Sequence, residues 1–178
     1  NKFKENQKDK RNNFRQKWLI EDDEIAIGII GRLVPIKNHH FFLNVAKKVS
    51  EHTTKKVRFL IIGDGELRGD LENYCKQLKI DFSNEKNTRN TLLTFTSWIT
   101  DIDVALAGLD IVALTSKNEG TPVSLIEAQA AGKPIVSTNV GGIENIVIPN
   151  ETALLSSIHD EQLFAENMSS LIEDDNKR

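Results

Sequence analysis

The sequence predicts an α/β protein built on a Rossmann-like, doubly wound parallel sheet of about six strands. Two observations carry this expectation. Continuous apolar runs of strand length recur along the chain, as strands covered on both faces require. Stretches with apolar residues at helical spacing separate them, so strand and helix alternate from Glu24 onward.

Residues 1–13 are polar, rich in Asn and Lys and without periodicity, and read as a mobile linker. Phe14, Trp18 and Leu19 then fit a short helix that docks one face on the same domain. Residues 1–24 are therefore set apart as a basic polar linker and short helix, and residues 25–178 as the Rossmann-like domain. Ile25–Ile30 is the first strand, ended by Gly31 and Arg32; residues 38–50 follow as a helix carrying Phe41, Phe42, Val45, Ala46 and Val49. Val57–Ile62 is the second strand, closed by Gly63-Asp64-Gly65 and followed by a helix over 66–78. Residues 81–90 are polar and irregular, 91–95 form the third strand and 102–107 a short helix. The fourth strand, 110–115, leads into a helix over 123–131. Pro122 suits its first position, where the missing N–H costs nothing, and Gly132 supplies its stop. A strand at 134–138, a Gly141-Gly142 turn, a strand at 153–155 and a helix over 161–172 complete the chain.

Composition narrows the function classes. At 178 residues with 39% apolar content, one domain with a proper core is expected. No apolar stretch has the length of a membrane span, and the N-terminus has no signal-like apolar core. A single cysteine, Cys75, excludes an internal disulfide and fits a reducing compartment, so the expected location is the cytoplasm, the inner membrane face included. Residues 1–18 hold seven Lys/Arg against two acids, a net of +5, which leaves −8 on the remaining 160 residues of a chain of net charge −3. A net-acidic body argues against broad nucleic-acid binding.

In such a sheet, ligands bind outside the carboxyl ends of the strands, so the loops in play are 31–38, 96–101 and 116–122. The central stretch is Asn118-Glu-Gly-Thr-Pro-Val-Ser-Leu-Ile-Glu-Ala-Gln-Ala-Ala-Gly-Lys-Pro134. The amides of Val123, Ser124 and Leu125 at the helix start favour an anion such as phosphate. Gly120 lets backbone approach a ligand, with Thr121 and Pro122 between it and the helix. Glu119 and Glu127 bracket that anion site. Carboxylates repel phosphate, so neutral hydroxyls are their fitting partners, and phosphate flanked by hydroxyl-rich groups describes a nucleotide sugar. Alone, a Glu-x7-Glu spacing would more often be a solvated helix face. Arg32 and Lys37 leave the first strand beside the same rim and together can neutralise a diphosphate, or serve as local ion pairs.

Other chemistry finds less support. Gly63-x-Gly65 follows the second strand and lacks its third glycine, so a tight turn explains it better than NAD binding. His39, His40 and His52 have no ligand-spaced partners, so no metal is expected. Ser124 has no His and Asp partners in a recognisable order.

Several motifs together resemble the family 4 (group 1) retaining glycosyltransferases. Glu119 through Pro134 is similar to that family's E-x7-E signature, and Gly31-Arg32-Leu33 with Lys37-Asn38 to its G-R-L-x-x-x-K-N element. Gly63-Asp64-Gly65-Glu66-Leu67 and Asn139-Val-Gly-Gly-Ile-Glu144 match in order. The resemblance implies the C-terminal, donor-binding half of a GT-B fold, with an N-terminal acceptor-binding domain as its partner. It implies a hexosyl transfer from a UDP or GDP sugar to an acceptor hydroxyl, in surface polysaccharide or glycoconjugate synthesis, on a lipid-linked or membrane-peripheral acceptor.

By the same resemblance Gly31, Arg32 and Lys37 hold the donor diphosphate, Glu119 accepts hydrogen bonds from the transferred sugar and Glu127 from the ribose. Gly120, Thr121, Pro122, Val123 and Ser124 complete the phosphate cradle, and Thr96 and Trp98 border the nucleobase. Arg32, Lys37 and Glu119 are the catalytic set, with no metal and no further cofactor. The competing readings are a non-catalytic nucleotide-binding or interaction module of the same fold, and a glycogen synthase or phosphorylase relative.

Overall fold

The computed structural model describes residues 1–84 and 91–178. Among these, seven parallel strands form one sheet in the order β3-β4-β2-β1-β5-β6-β7. They are β1 (Ile25–Ile30), β2 (Val57–Ile62), β3 (Phe82–Ser83), β4 (Leu93–Ser97), β5 (Ile111–Leu114), β6 (Ile135–Thr138) and β7 (Ala153–Ser156). Among the described residues six α-helices alternate with them: α1 (Gln7–Trp18), α2 (His39–His52), α3 (Arg68–Gln77), α4 (Ile102–Gly108), α5 (Val123–Ala130) and α6 (Glu161–Glu173). The doubly wound α/β architecture is as expected, and every residue of β1, β5 and β6 is buried, as a sheet covered on both faces demands.

Alternating residues of β1 feed two separate cores. Ile25, Ile27 and Ile29 join α2, α3 and α6 around Phe42, Phe59, Phe95 and Phe164. Ala26 and Ile30 join α1, α4 and α5 around Trp18, Leu106, Leu109 and Leu125. Period-two alternation of side chains across a pleated strand is what divides them. Cys75 lies in the first core, where burial pushes its thiol up to about 12.

The structure corrects the sequence reading in three places. The sheet has a seventh strand, β3, two residues long and paired parallel to β4 at Phe82–Leu93 and Ser83–Thr94. It falls at the start of a stretch read as irregular, of which residues 85–90 lie outside the described residues. The first helix begins at Gln7, where no periodicity signals it; charge pairs hold it instead. Lys10 bonds Asp103 at 2.8 Å and Arg11 bonds Asp110 at 2.9 Å, both reaching α4 and its exit. Pro122 is the N-cap of α5, one position before its expected place in the first turn.

Arg15 and Arg58 secure the amino edge of the sheet. Arg15, 3% exposed, donates to the carbonyls of Glu21, Glu24 and Gly108 and to the Asp110 carboxylate. Asp110 in turn accepts from the Ala26 amide at 2.8 Å. Arg58, 1% exposed, reaches Glu24 Oε1 at 3.1 and 3.2 Å and Thr91 Oγ1 at 3.4 Å. Glu24 Oε2 accepts from the Glu21 amide at 2.6 Å.

Candidate functional site

Strand order reverses at β1, which has β2 on one side and β5 on the other. A crevice opens at such a switch point outside the carboxyl ends of the two strands. The loops that follow β1 and β5 meet there through hydrogen bonds. The fully buried hydroxyl of Thr115 lies 2.9 Å from the Lys37 carbonyl and 3.1 Å from that of Asn38. The Lys117 amide donates to the Ile36 carbonyl at 2.8 Å. From β6, Thr138 donates to the Ser116 carbonyl at 2.7 Å.

The Gly31 loop rests on its neighbour. The Leu33 amide donates to the Asp64 carbonyl at 3.0 Å, and the Leu67 amide to the Leu33 carbonyl at 3.1 Å. Gly63, at φ +145°, packs so closely on the Gly31 carbonyl that no Cβ fits, and a Cβ on Gly65 would meet Leu33 oxygen at 2.6 Å. Close backbone packing, not a dinucleotide, explains Gly63-Asp64-Gly65. Gly141 and Gly142 perform the same service for the Glu119 loop. The Gly142 amide donates to the Glu119 carbonyl at 2.9 Å, and a Cβ on either glycine would overlap the carbonyl of Glu119 or Gly120.

On this frame Lys37 Nζ meets Glu119 Oε1 at 2.6 Å, although 82 residues separate them. The lysine stem runs beside Gly31, where a Cβ would stand 3.5 Å from Lys37 Cε. Ser116 Oγ donates to the same carboxylate oxygen at 2.5 Å. Arg32 is exposed and, among the described residues, has no ion-pair partner, so its fork is open to solvent. Glu127 is half-buried on the first turns of α5, again with no partner among the described residues. No side chain caps α5, so the amides of Val123 and Ser124 remain for an external acceptor, whereas that of Leu125 bonds the Pro122 carbonyl at 3.1 Å. Gly120 and Thr121 are exposed and Pro122 is buried beneath them.

The third loop follows β4. Thr96 is buried at the end of β4, its hydroxyl within reach of the Ile61 and Ser97 carbonyls at 3.4 and 3.0 Å. Trp98 follows Ser97, which adopts φ +56°, and its indole is 60% exposed. Arg68 braces this turn through Ser97 Oγ at 3.4 Å and Glu72 at 2.6 Å. A cavity of about 550 Å³ lies away from the rim, between the end of α1 and residues 19–22.

The sequence model of the family described as Glycosyl transferases group 1 matches residues 10–178. The chain belongs to this family. This glycosyl transferase chain is 32% identical over 133 residues to the UDP-Gal:alpha-D-GlcNAc-diphosphoundecaprenol alpha-1,3-galactosyltransferase of Escherichia coli, covering 74% of the chain and 32% of the relative. Its fold is similar to that of Anabaena HepE, crystallised with UDP and glucose, at a TM-score of 0.80, with 23% identity over 95% of the chain and 44% of HepE. It is also similar, at a TM-score of 0.74 and 23% identity, to the separately solved C-terminal domain of the group 1 glycosyl transferase LpcC from Francisella tularensis, covering 93% of the chain and 85% of that domain. The chain spans about a third of the length of the curated relatives it matches.

Sequence reasoning about this glycosyl transferase overlooked Thr115, Ser116, Thr138, Gly141 and Gly142 as builders of the rim. The available signal was a hydroxyl at the carboxyl end of each apolar run, Leu114-Thr-Ser116 and Val136-Ser-Thr138. His39 was also underread. Its imidazole is fully buried at the start of α2, and among the described residues neither ring nitrogen has a hydrogen-bond partner. Burial, with the Lys37 and His40 charges adding, pushes its pKa down to about 4. The folded value lies below the unfolded one of about 6.5, so stability is complete above the unfolded value and is lost as pH falls toward the folded one. Urea denaturation is expected to show a loss of about 2 kcal/mol between pH 7 and pH 5 from this group. His39→Phe is expected to flatten that limb; an unchanged limb would exclude His39 as its source.

Proposed function

We propose that this chain is the donor-binding half of a retaining glycosyltransferase that takes a hexosyl group from a UDP or GDP sugar. Its counterpart is an N-terminal acceptor-binding domain of the same protein. The observation that supports the reading best is the meeting of Lys37 and Glu119 at 2.6 Å beside the uncapped start of α5, at the point where strand order reverses. Cation, carboxylate and free amides then line one rim, which suits a diphosphate joined to a sugar.

In this reading Arg32 and Lys37 hold the donor diphosphate, with the Val123 and Ser124 amides. Negative charge builds on the diphosphate as the glycosidic bond breaks, and fixed cations stabilise that transition state. Glu119 accepts from the sugar hydroxyls and Glu127 from the ribose. Gly31 and Gly120 admit the phosphates closely, Thr121 and Pro122 shape the turn, and Thr96 and Trp98 border the base. The relative from Escherichia coli, named for UDP-Gal and a diphosphoundecaprenol acceptor, favours a lipid-linked acceptor in polysaccharide or glycoconjugate assembly at the cytoplasmic membrane face.

Without the acceptor domain the chain binds nucleotide sugar weakly and does not turn over. The test is an NMR or calorimetric titration with UDP, GDP and ADP and their sugars. Glu127→Ala is expected to weaken free nucleotide about tenfold, the size of one charge-assisted hydrogen bond. Glu119→Ala is expected to remove only the additional affinity that the sugar brings. Equal effects on free nucleotide would contradict these roles, and no response to any nucleotide at millimolar concentration would favour an interaction module.

A further inference from the structure

We propose that Ser116 is the positioning residue that orients Glu119 toward the donor sugar, an inference that rests on the reading of the site given above. Ser-x-x-Glu ahead of a helix usually signals a capping box, in which each side chain bonds a backbone amide. Here no helix starts at Ser116, and its hydroxyl instead donates to Glu119 Oε1 at 2.5 Å. Ser116 is fully buried, while Glu119 lies partly open at the rim. The hydroxyl has a single proton, and that proton is committed to the carboxylate.

The backbone between them is fixed at both ends. Thr138 donates to the Ser116 carbonyl at 2.7 Å, and the Gly142 amide donates to the Glu119 carbonyl at 2.9 Å. With the backbone held, the remaining freedom is the rotation of the glutamate side chain. Two donors, Ser116 Oγ and Lys37 Nζ, engage Oε1, and among the described residues none engages Oε2. The carboxylate is therefore held by one oxygen and presents the other.

The two donors are not equivalent. Lys37 sits on a flexible stem and is 23% exposed, so a diphosphate can draw it away. Ser116 has no such freedom. When Lys37 turns to the phosphates, the serine hydroxyl is the protein contact that keeps Glu119 in register with the sugar. Its effect belongs to the sugar increment of affinity and not to nucleotide binding itself.

The experiment compares wild type, Ser116→Ala and Ser116→Thr, the last keeping the hydroxyl, by titration of the full chain with UDP, GDP and the corresponding hexose derivatives. Ser116→Ala is expected to lower the ratio of nucleotide-sugar to nucleotide affinity about tenfold, leaving nucleotide affinity within about twofold, and Ser116→Thr to restore the ratio. Equal losses for nucleotide and nucleotide sugar, or an unchanged ratio, would overturn the proposal. A ligand-free readout separates the two levels of the argument. The carboxyl ¹³C resonance of Glu119 is expected to shift in Ser116→Ala and to return in Ser116→Thr. A resonance that stays in place overturns the contact, whereas a wild type that binds no nucleotide overturns the reading of the site on which the sugar-orienting role depends.

Discussion

Replacing Arg58 with alanine is expected to lower the unfolding free energy by about 3–5 kcal/mol, the usual result of removing one partner from a buried ion pair. Arg58 is 1% exposed and shares Glu24 Oε1 through two nitrogens, so its loss strands a carboxylate at the amino edge of β1. The same glutamate holds the Glu21 amide, and its carbonyl accepts from Arg15, which ties α1 to the sheet. A fault there spreads to the helix. For a domain of this size the melting temperature should fall by roughly 10 °C. The double variant Arg58→Met/Glu24→Leu should recover part of the loss, because no unpaired charge remains inside. Urea denaturation of the three proteins decides it. A single-variant cost under about 1 kcal/mol would mean that the pair is not what holds this edge.

The second large effect concerns the rim. Arg32→Ala combined with Lys37→Ala is expected to weaken nucleoside diphosphate binding by at least about a hundredfold, since each charge-assisted contact contributes about 1.5–3 kcal/mol. The nucleoside monophosphate should lose less, because it lacks the outer of the two phosphates to which the cations are assigned. Calorimetric titration with both ligands gives the comparison. A similar loss for mono- and diphosphate would remove the two cations from the diphosphate site. The fold should be little affected, as Arg32 is exposed and Lys37 pairs only at the partly open rim.

Much of this architecture was legible because burial on both faces imposes a plain signature. Ile25–Ile30 and Val57–Ile62 were read to their ends, since central parallel strands form near-continuous apolar runs, here interrupted by Arg58 in β2. The switch point followed from strand order in the general topology. What escaped notice depends on side-chain pairing across long separations or on very short elements. Phe82–Ser83 is too brief to show a period. The start of α1 is polar, and its attachment to Asp103 and Asp110 spans about ninety residues, which no local pattern reveals. Lys37 and Glu119 were each singled out as ligands of different groups, but their direct bond was not foreseen, because either residue alone has no sequence mark of the other. The supporting glycines show the same limit. Gly141 matters for the carbonyl it lies against, and that neighbour is 22 positions away.

The bond between Lys37 and Glu119 also gives the resting rim an internal counterion. In the proposed reading an arriving phosphate would not meet a bare lysine; it would displace the Glu119 carboxylate that Lys37 holds and take its place. Binding would then be an exchange of anions, and the carboxylate that the lysine gives up, still held by Ser116, would become available at the moment a sugar is present to occupy it. Simple phosphate or sulfate, which would part the lysine from the glutamate without giving the glutamate anything to hold, is expected to gain least from the exchange.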